Sequence, residues 1–241
     1  MPTDPAQVTV VLPTFNEREN LEPIVRAVTR HGYRVLVVDD NSPDGTGELA
    51  DHLATEIPSV GVLHRPHKAG LGPAYAAGFH LAFSEGARII CEMDADFSHD
   101  PAALPSLVDA VDRGAALAIG SRYVEGGATP DWPLHRRLLS KGGNWYARIM
   151  LGLPVRDATA GFRAYRALAL MQLESETCLA CGYAFQVELT LRAVDQGLRI
   201  VEVPITFGDR REGTSKMGAR IVAEAMWLIT KWGVRRRIAG K

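Results

Sequence analysis

Apolar positions in the first half of the chain switch repeatedly between two periods. Val8 to Leu12 and Tyr33 to Asp39 are short, nearly continuous apolar runs of strand length, and between them Leu21, Ile24, Val25 and Val28 recur at helical spacing. The pattern predicts β-α-β. It continues with a helix from Asp44 to Ile57, a strand from Val60 to Leu63, a helix from Pro73 to Ser84 and a strand from Ala87 to Met93. Asp100 is placed to cap a helix with Pro101 at its first position and Leu104, Leu107, Val108 and Val111 on its inner face. A strand from Ala115 to Ile119 follows. EGGATPDWP then reads as a loop, His135 to Leu151 as a helix, and Phe185 to Gln196 as another after an irregular turn. The expected fold class is α/β, a mostly parallel sheet covered by helices on both faces. No repeat or linker divides it, so residues 1–241 are expected to form a single domain.

In such sheets ligands collect at the carboxyl ends of the strands. Those ends read Pro13-Thr14-Phe15-Asn16-Glu17, Asp39-Asp40-Asn41-Ser42, Asp94-Ala95-Asp96 and Gly120-Ser121-Arg122. In IICEMDADFSHD two aspartates spaced one apart leave a buried strand together, which suits a hard divalent cation such as Mg²⁺ or Mn²⁺. Ser98 and His99 stand near enough to assist, although a D-x-D at a strand end also serves simply to cap the next helix. Asp39 and Asp40 repel one another. Besides an Asx-rich turn, the pair fits a recognition role, one acid accepting hydrogen bonds from a base or ribose while the other orients the loop, with Glu17 a further acceptor.

Arg122, Arg136, Arg210 and Lys216 fall in loops or helix starts after the sheet. Each alone reads as a solvated charge, whereas a convergent set would neutralise a diphosphate leaving group and a phosphate acceptor. GDRREGTSKMG is glycine-punctuated enough to close over a ligand. The chain contains no P-loop, H-E-x-x-H, G-x-G-x-x-G or Ser-His-Asp order, which removes the usual anchors of kinase, metalloprotease, dehydrogenase and serine hydrolase readings.

Charge and composition narrow the partners. Lys+Arg 27 against Asp+Glu 28 leaves a net charge of -1, so no global field draws the chain to nucleic acid. Three cysteines, Cys91 and the lone C-x-x-C of Cys178 and Cys181, are too few for a disulfide framework. The start MPTDPAQ lacks the basic and apolar regions of a signal peptide, and no apolar run approaches the roughly 18 residues of a spanning helix. A cytoplasmic protein is expected.

Taken in order, VVLPTFNERENL, VLVVDDNSPDGT, HRPHKAGLGPAYAAGF, EMDADFSHDP, IGSRY and TFGDRREGTSKMG resemble the inverting glycosyltransferases of the GT-A fold. Among these the chain is similar to the dolichol-phosphate (polyprenol-monophosphate) mannose synthases, over nearly its whole length. The resemblance implies mannose transfer from GDP-mannose to a polyprenyl phosphate at the cytoplasmic membrane face, with Mg²⁺ or Mn²⁺. It places Pro13, Phe15, Glu17, Val38 and Asp40 along the nucleotide, and Asp94, Ala95 and Asp96 at metal and diphosphate, with Ser98 as third protein ligand. It places Arg122, Arg210 and Lys216 on phosphates, Arg122 joining Asp94 and Asp96 as catalytic, and Arg136 with Ser140 at the acceptor phosphate or the diphosphate. Relatives often carry Tyr where Phe15 stands, and some carry Gln where Ser98 stands. Larger relatives add transmembrane helices; this chain would resemble the soluble catalytic type, which docks peripherally or borrows a membrane-spanning partner.

The end of the chain, about 218–241, reads as an amphipathic helix with a basic tail. Ile221, Ala225, Leu228, Ile229 and Trp232 form one stripe, while Trp227 lies opposite among Arg220, Glu224 and Lys231. KWGVRRRIAGK holds Lys231, Arg235, Arg236, Arg237 and Lys241 and no acid, which suits anionic headgroups; a core-packed helix with a solvated tail fits the same pattern. UDP-glucose as donor to the same acceptor is poorly separated by sequence. A nucleotidyltransferase should instead carry a glycine-rich loop where PTFNERE stands, and a non-catalytic membrane adaptor would not need the acids and cations together.

Overall fold

The structure, a computed structural model, describes residues 2–178, 184–208 and 219–238, without the side chains of 219–221. Among these residues one sheet contains β1 (Val8–Thr14), β2 (Arg34–Asp39), β3 (Val60–His64), β4 (Ile89–Glu92), β5 (Leu117–Ser121), β6 (Arg163–Arg166) and β7 (Ile200–Pro204). The spatial order is β3-β2-β1-β4-β6-β5-β7. Every pairing is parallel except those of β6, which runs against both β4 and β5. The helices are α1 (Arg18–Thr29), α2 (Thr46–Glu56), α3 (Leu71–Ser84), α4 (Leu104–Asp112), α5 (Leu134–Leu151), α6 (Ala167–Gln172), α7 (Ala184–Asp195) and α8 (Ala219–Ile238).

Alternation along the central strands separates two cores. Val8, Val10 and Leu12 of β1 and Val35 and Val37 of β2 pack with Leu21 and Ile24 of α1 and Leu104 and Leu107 of α4. Val11, Leu36 and Val38 point the other way, to Tyr75 and Phe79 of α3, Ala147 of α5, Phe185 of α7 and Leu228 of α8. α3 approaches closely at Gly78, where a Cβ would lie 2.4 Å from Val11 Cγ1. Burial on both faces explains why these strands read as continuous apolar runs.

The alternating half of the chain follows the sequence pattern within about two residues at each boundary. The pattern did not foresee β6, α6 or β7. β6 is four residues long and begins and ends with arginine, so it carries almost no apolar signal. The C-terminal helix exists, and Ala225, Leu228, Ile229 and Trp232 do pack on the core. The basic stretch is not a free tail: the helix continues to Ile238, Arg236 pairs with Asp195 of α7, and Arg237 contacts Met150 of α5.

Candidate active site

The chain lays down β1, β2 and β3 outward, then recrosses to place β4 on the other flank of β1. The strand order therefore reverses between β1 and β4, the place beyond the carboxyl ends where open α/β sheets bind their ligands. The loops leaving β1, β2 and β4 each hold a non-glycine residue in the left-handed region: Asn16 at φ 57°, Asn41 at φ 57° and Phe97 at φ 62°. Asparagine tolerates that conformation, but a phenylalanine there costs roughly 1–2 kcal/mol. The cost persists because the turn is over-determined: Asp96 Oδ1 accepts the Ser98 N–H at 3.0 Å, and the Ser98 carbonyl accepts from Gly208 N–H at 3.2 Å.

On the β1–β2 side the two neighbouring acids have divided their work. Asp39 is buried and accepts from the Thr14 hydroxyl at 3.2 Å, the Ser42 N–H at 3.1 Å and the Ser42 hydroxyl at 2.5 Å, so it orients the loop. Asp40 accepts from Arg65 Nη1 at 2.6 Å, and burial pushes its carboxyl above the ordinary value even against that guanidinium. Lys68 Nζ lies 4.0 Å from the centre of the Phe15 ring. Glu17 accepts from the Asn20 amide at 3.1 Å, and its own N–H donates to the Thr46 hydroxyl at 3.0 Å. Pro13, Phe15 and Glu17 stay partly exposed at this edge. The Val38 side chain is fully buried in the core, so a part for Val38 at the nucleotide would run through its backbone alone.

At the end of β4, Asp94 remains about one-third exposed while Ala95, Asp96 and Ser98 are buried. Asp94 Oδ1 accepts from the Tyr75 hydroxyl at 3.3 Å; burial first, then that carboxylate, push the phenol well above its ordinary value. The Asp94 N–H donates to His99 Nδ1 at 3.1 Å. Nδ1 is thus the acceptor nitrogen, and its 4.0 Å approach to Asp94 Oδ2 is not an ion pair. Beneath the pair, Glu92 is fully buried, accepts from Gln186 Nε2 at 2.6 Å, and is pushed up to about 7 by burial against the pull of Arg163. Two carboxylates are hard oxygen donors of the kind Mg²⁺ and Mn²⁺ take. Among the described residues no three His, Cys, Asp or Glu side chains form a ready-made metal cluster. A cation on Asp94 and Asp96 would therefore complete its shell from phosphate oxygens, water and Ser98.

Arg122 follows β5 at the same edge, and its guanidinium is already engaged. Nε and Nη2 donate to the two carboxylate oxygens of Asp157 at 2.7 and 2.6 Å, and Nη2 reaches the Thr159 hydroxyl at 2.9 Å. Arg136 stacks 4.1 Å over the Trp132 ring, whose buried indole N–H has no hydrogen-bond partner among the described residues. Ser140 accepts from the Tyr123 hydroxyl at 2.6 Å, which draws the first half of α5 to the residue beside Arg122. Arg210 and Lys216 lie outside the described residues, as does Cys181. Burial pushes the Cys178 thiol up to about 12, unsuited to redox or metal chemistry near neutral pH.

Sequence reasoning missed Arg65, Tyr75 and Asp157. Asp157 lies on this edge only because β6 runs backwards, bringing the loop before it to the carboxyl ends of its neighbours. A D-x-T-x-G run before a short strand was the available signal, readable only once that strand is known to be antiparallel.

Residues 9–173 match the family described as glycosyl transferase family 2. The chain is 50% identical to a polyprenol monophosphomannose synthase of Mycolicibacterium smegmatis, over 95% of this chain and 88% of that protein. It is 50% identical to an undecaprenyl-phosphate mannosyltransferase of Micrococcus luteus over 97% of both chains. A dolichol-phosphate mannosyltransferase of Pyrococcus furiosus is 36% identical over 94% of this chain and 64% of its own. In fold it is similar to glucosyl-3-phosphoglycerate synthase from Mycobacterium tuberculosis, solved with Mn²⁺, UDP and glucosyl-3-phosphoglycerate, with TM-score 0.67, 21% identity and coverage of 95% and 79%. The architecture is thus the GT-A fold expected from the motifs. The chain belongs to glycosyl transferase family 2, in the polyprenol-phosphate mannose synthase group.

Proposed function

We propose that this enzyme transfers mannose from GDP-mannose to a polyprenyl phosphate, releasing GDP and forming a β-linked lipid product. The observation that carries the reading is the meeting of the Asp94-Ala95-Asp96 turn with the Pro13–Glu17 and Asp39–Ser42 loops at the switch point, in a chain 50% identical to two lipid-phosphate mannosyltransferases. Asp94 and Asp96 would hold Mg²⁺ or Mn²⁺, with Ser98 beside them; when bound, the cation offsets the charge on the departing diphosphate. Asp40 and Glu17 bind the nucleoside, while Arg122, Arg136, Ser140, Arg210 and Lys216 serve the phosphates. A phosphate monoester is already largely ionised near neutral pH, so the acceptor attacks the anomeric carbon without a general base. The protein supplies in-line placement, and one displacement inverts the α-linkage to β. The test is sugar transfer by purified enzyme from radiolabelled GDP-mannose or UDP-glucose to a short polyprenyl phosphate. Metal-dependent β-mannosyl product, with GDP released only when the lipid phosphate is present, is expected. An α-linked product, or preference for UDP-glucose, overturns the reading.

Peripheral docking on anionic lipid belongs to the same proposal. Among the described residues no helix is long and apolar enough to cross a membrane. Among the described residues, apart from Leu168, the exposed large hydrophobic side chains all lie on α5 or α8, including Leu138, Trp145 (63%) and Ile149 on the first and Trp227 (61%), Val234 and Ile238 (83%) on the second. Both trios follow one spacing, i, i+7, i+11, so each lines one helix face. The helices are locked together where Tyr146 meets Thr230 at 2.7 Å and where a Cβ on Gly233 would lie 2.6 Å from the Met150 carbonyl oxygen. Lys141, Lys231 and Arg235 flank the apolar faces, a combination suited to a headgroup boundary. Truncating α8 would remove core packing, so substitution is the cleaner probe. Trp145→Glu with Trp227→Glu is expected to weaken co-sedimentation with phosphatidylglycerol vesicles by about tenfold or more, with turnover on a short, water-soluble polyprenyl phosphate unchanged. Undiminished vesicle binding overturns the docking.

A further inference from the structure

The loop between α5 and β6 is held far more tightly than a connection requires. Its first end is fixed by Glu202 of β7, whose two carboxylate oxygens accept the N–H groups of Arg156 and Asp157 at 2.8 and 2.9 Å. From below, the fully buried Arg163 donates to the carbonyls of Ala158 and Ala160 at 2.8 and 2.7 Å. At its centre Thr159 and Asn144 of α5 exchange hydrogen bonds: the Asn144 amide donates to the Thr159 hydroxyl at 2.9 Å, and the Thr159 N–H donates to Asn144 Oδ1 at 3.2 Å. Asn144 also donates to the Ser140 carbonyl at 3.1 Å.

What this scaffold presents is the Asp157 carboxylate, with no exposed surface, receiving three donors from one residue. Arg122 gives it its backbone N–H at 3.0 Å as well as Nε and Nη2. A carboxylate so enclosed must remain paired, so it fixes both the backbone and the guanidinium plane of Arg122. Thr159 takes a further Nη2 contact, and through Asn144 the same loop is tied to the turn of α5 that carries Ser140. We propose that Asp157 is the positioning residue of the acceptor site: it aims Arg122, in register with Ser140, so that the lipid phosphate meets a pre-formed cation. The proposal rests on the reading of Arg122 as a phosphate contact. A side chain fixed in advance loses less freedom when phosphate arrives, so the loss of Asp157 should appear with the acceptor rather than with the nucleotide.

The test is a kinetic double-mutant cycle on the full chain, with Asp157→Asn, Arg122→Ala and the double variant, varying polyprenyl phosphate and GDP-mannose separately. Asp157→Asn is expected to lower kcat/KM for polyprenyl phosphate by about 10- to 100-fold while KM for GDP-mannose moves less than about twofold, and to add less than about twofold in the Arg122→Ala background. Equal losses in both backgrounds, or matched losses for both substrates, make Asp157 merely structural and overturn the proposal. Asp157→Asn with wild-type kinetics beside a crippled Arg122→Ala overturns it too, leaving the phosphate role of Arg122 standing. Wild-type transfer by Arg122→Ala overturns both. Should Asp157→Asn not fold, Thr159→Val keeps both charges and carries the same cycle with an expected loss of about threefold on the acceptor side; no acceptor-specific loss there is equally fatal.

Discussion

Asp96→Ala is expected to abolish metal-dependent transfer, with kcat reduced by about 10³-fold or more. The turn contact of Asp96 and its proposed metal role are separable. Its Oδ1 holds the Ser98 N–H and so maintains a turn in which Phe97 sits at φ 62°. In the proposed metal site its charge, with that of Asp94, would supply the hard-oxygen pair that a divalent cation needs. Alanine removes both duties, whereas Asp96→Asn keeps an acceptor for Ser98 and removes only the charge. The asparagine variant should therefore melt within a few degrees of the parent and still lose turnover to a similar extent. Its affinity for Mn²⁺ in the presence of GDP, followed by electron paramagnetic resonance, should fall at least about tenfold, the loss of one charge-bearing ligand. Near wild-type turnover of Asp96→Asn at saturating metal would remove Asp96 from the site. Lost turnover of Asp96→Asn with undiminished Mn²⁺ binding would show that its charge serves the reaction in some way other than by holding the cation.

The parts of the site legible in the sequence are those where one strand end carries its own signal. Asp94 and Asp96 follow an apolar run and need no partner to be noticed; the same holds for Asp39 and Asp40, and the structure distributes the latter pair as loop orienter and arginine partner. Residues whose meaning depends on a distant element were silent. Tyr75 reads as an apolar position of α3, because its ring packs in the core and only the hydroxyl reaches Asp94. Asp157 reads as a loop acid until β6 is known to run backwards. Arg122 was visible as a cation at a strand end, but not that one edge of its guanidinium is committed within the protein. The C-terminal helix was legible twice over, as a core-packed stripe and as a basic, tryptophan-bearing face, and α8 has both. The exposed face of α5 went unread because Leu134, Leu138 and Leu139 look, in sequence, like any inward-facing helix residues.

Replacing Arg163 with methionine is expected to cost about 3–5 kcal/mol of stability, the range for breaking a buried charge network by removing one partner. Arg163 is fully buried in β6, and its donors are spent on the carbonyls of Ala158 and Ala160, the Thr190 hydroxyl at 3.1 Å and the Tyr165 hydroxyl at 3.4 Å. Methionine fills much of the volume but leaves those carbonyls without their donor and Glu92 without its counter-charge. In a chain of this length the melting temperature should fall by roughly 6–20 °C, and the urea midpoint should fall with it. Glu92 gives the sign of the pH dependence. Its folded carboxyl is raised from 4.5 to about 7, so the folded state holds the proton more tightly than the unfolded chain. That contribution is complete below 4.5 and is lost as pH rises through 7. Without Arg163 the carboxyl rises further, so Arg163→Met should be penalised more at pH 8 than at pH 5. Adding Glu92→Gln, which cannot ionise, should recover part of the loss, most of it at the higher pH. Urea unfolding of the single and double variants at both pH values checks this. A loss below about 1 kcal/mol for Arg163→Met would show that the buried arginine is not what holds the loop carrying Asp157 in place, and a double variant no more stable than the single at pH 8 would show that the Glu92 carboxylate is not what penalises its removal.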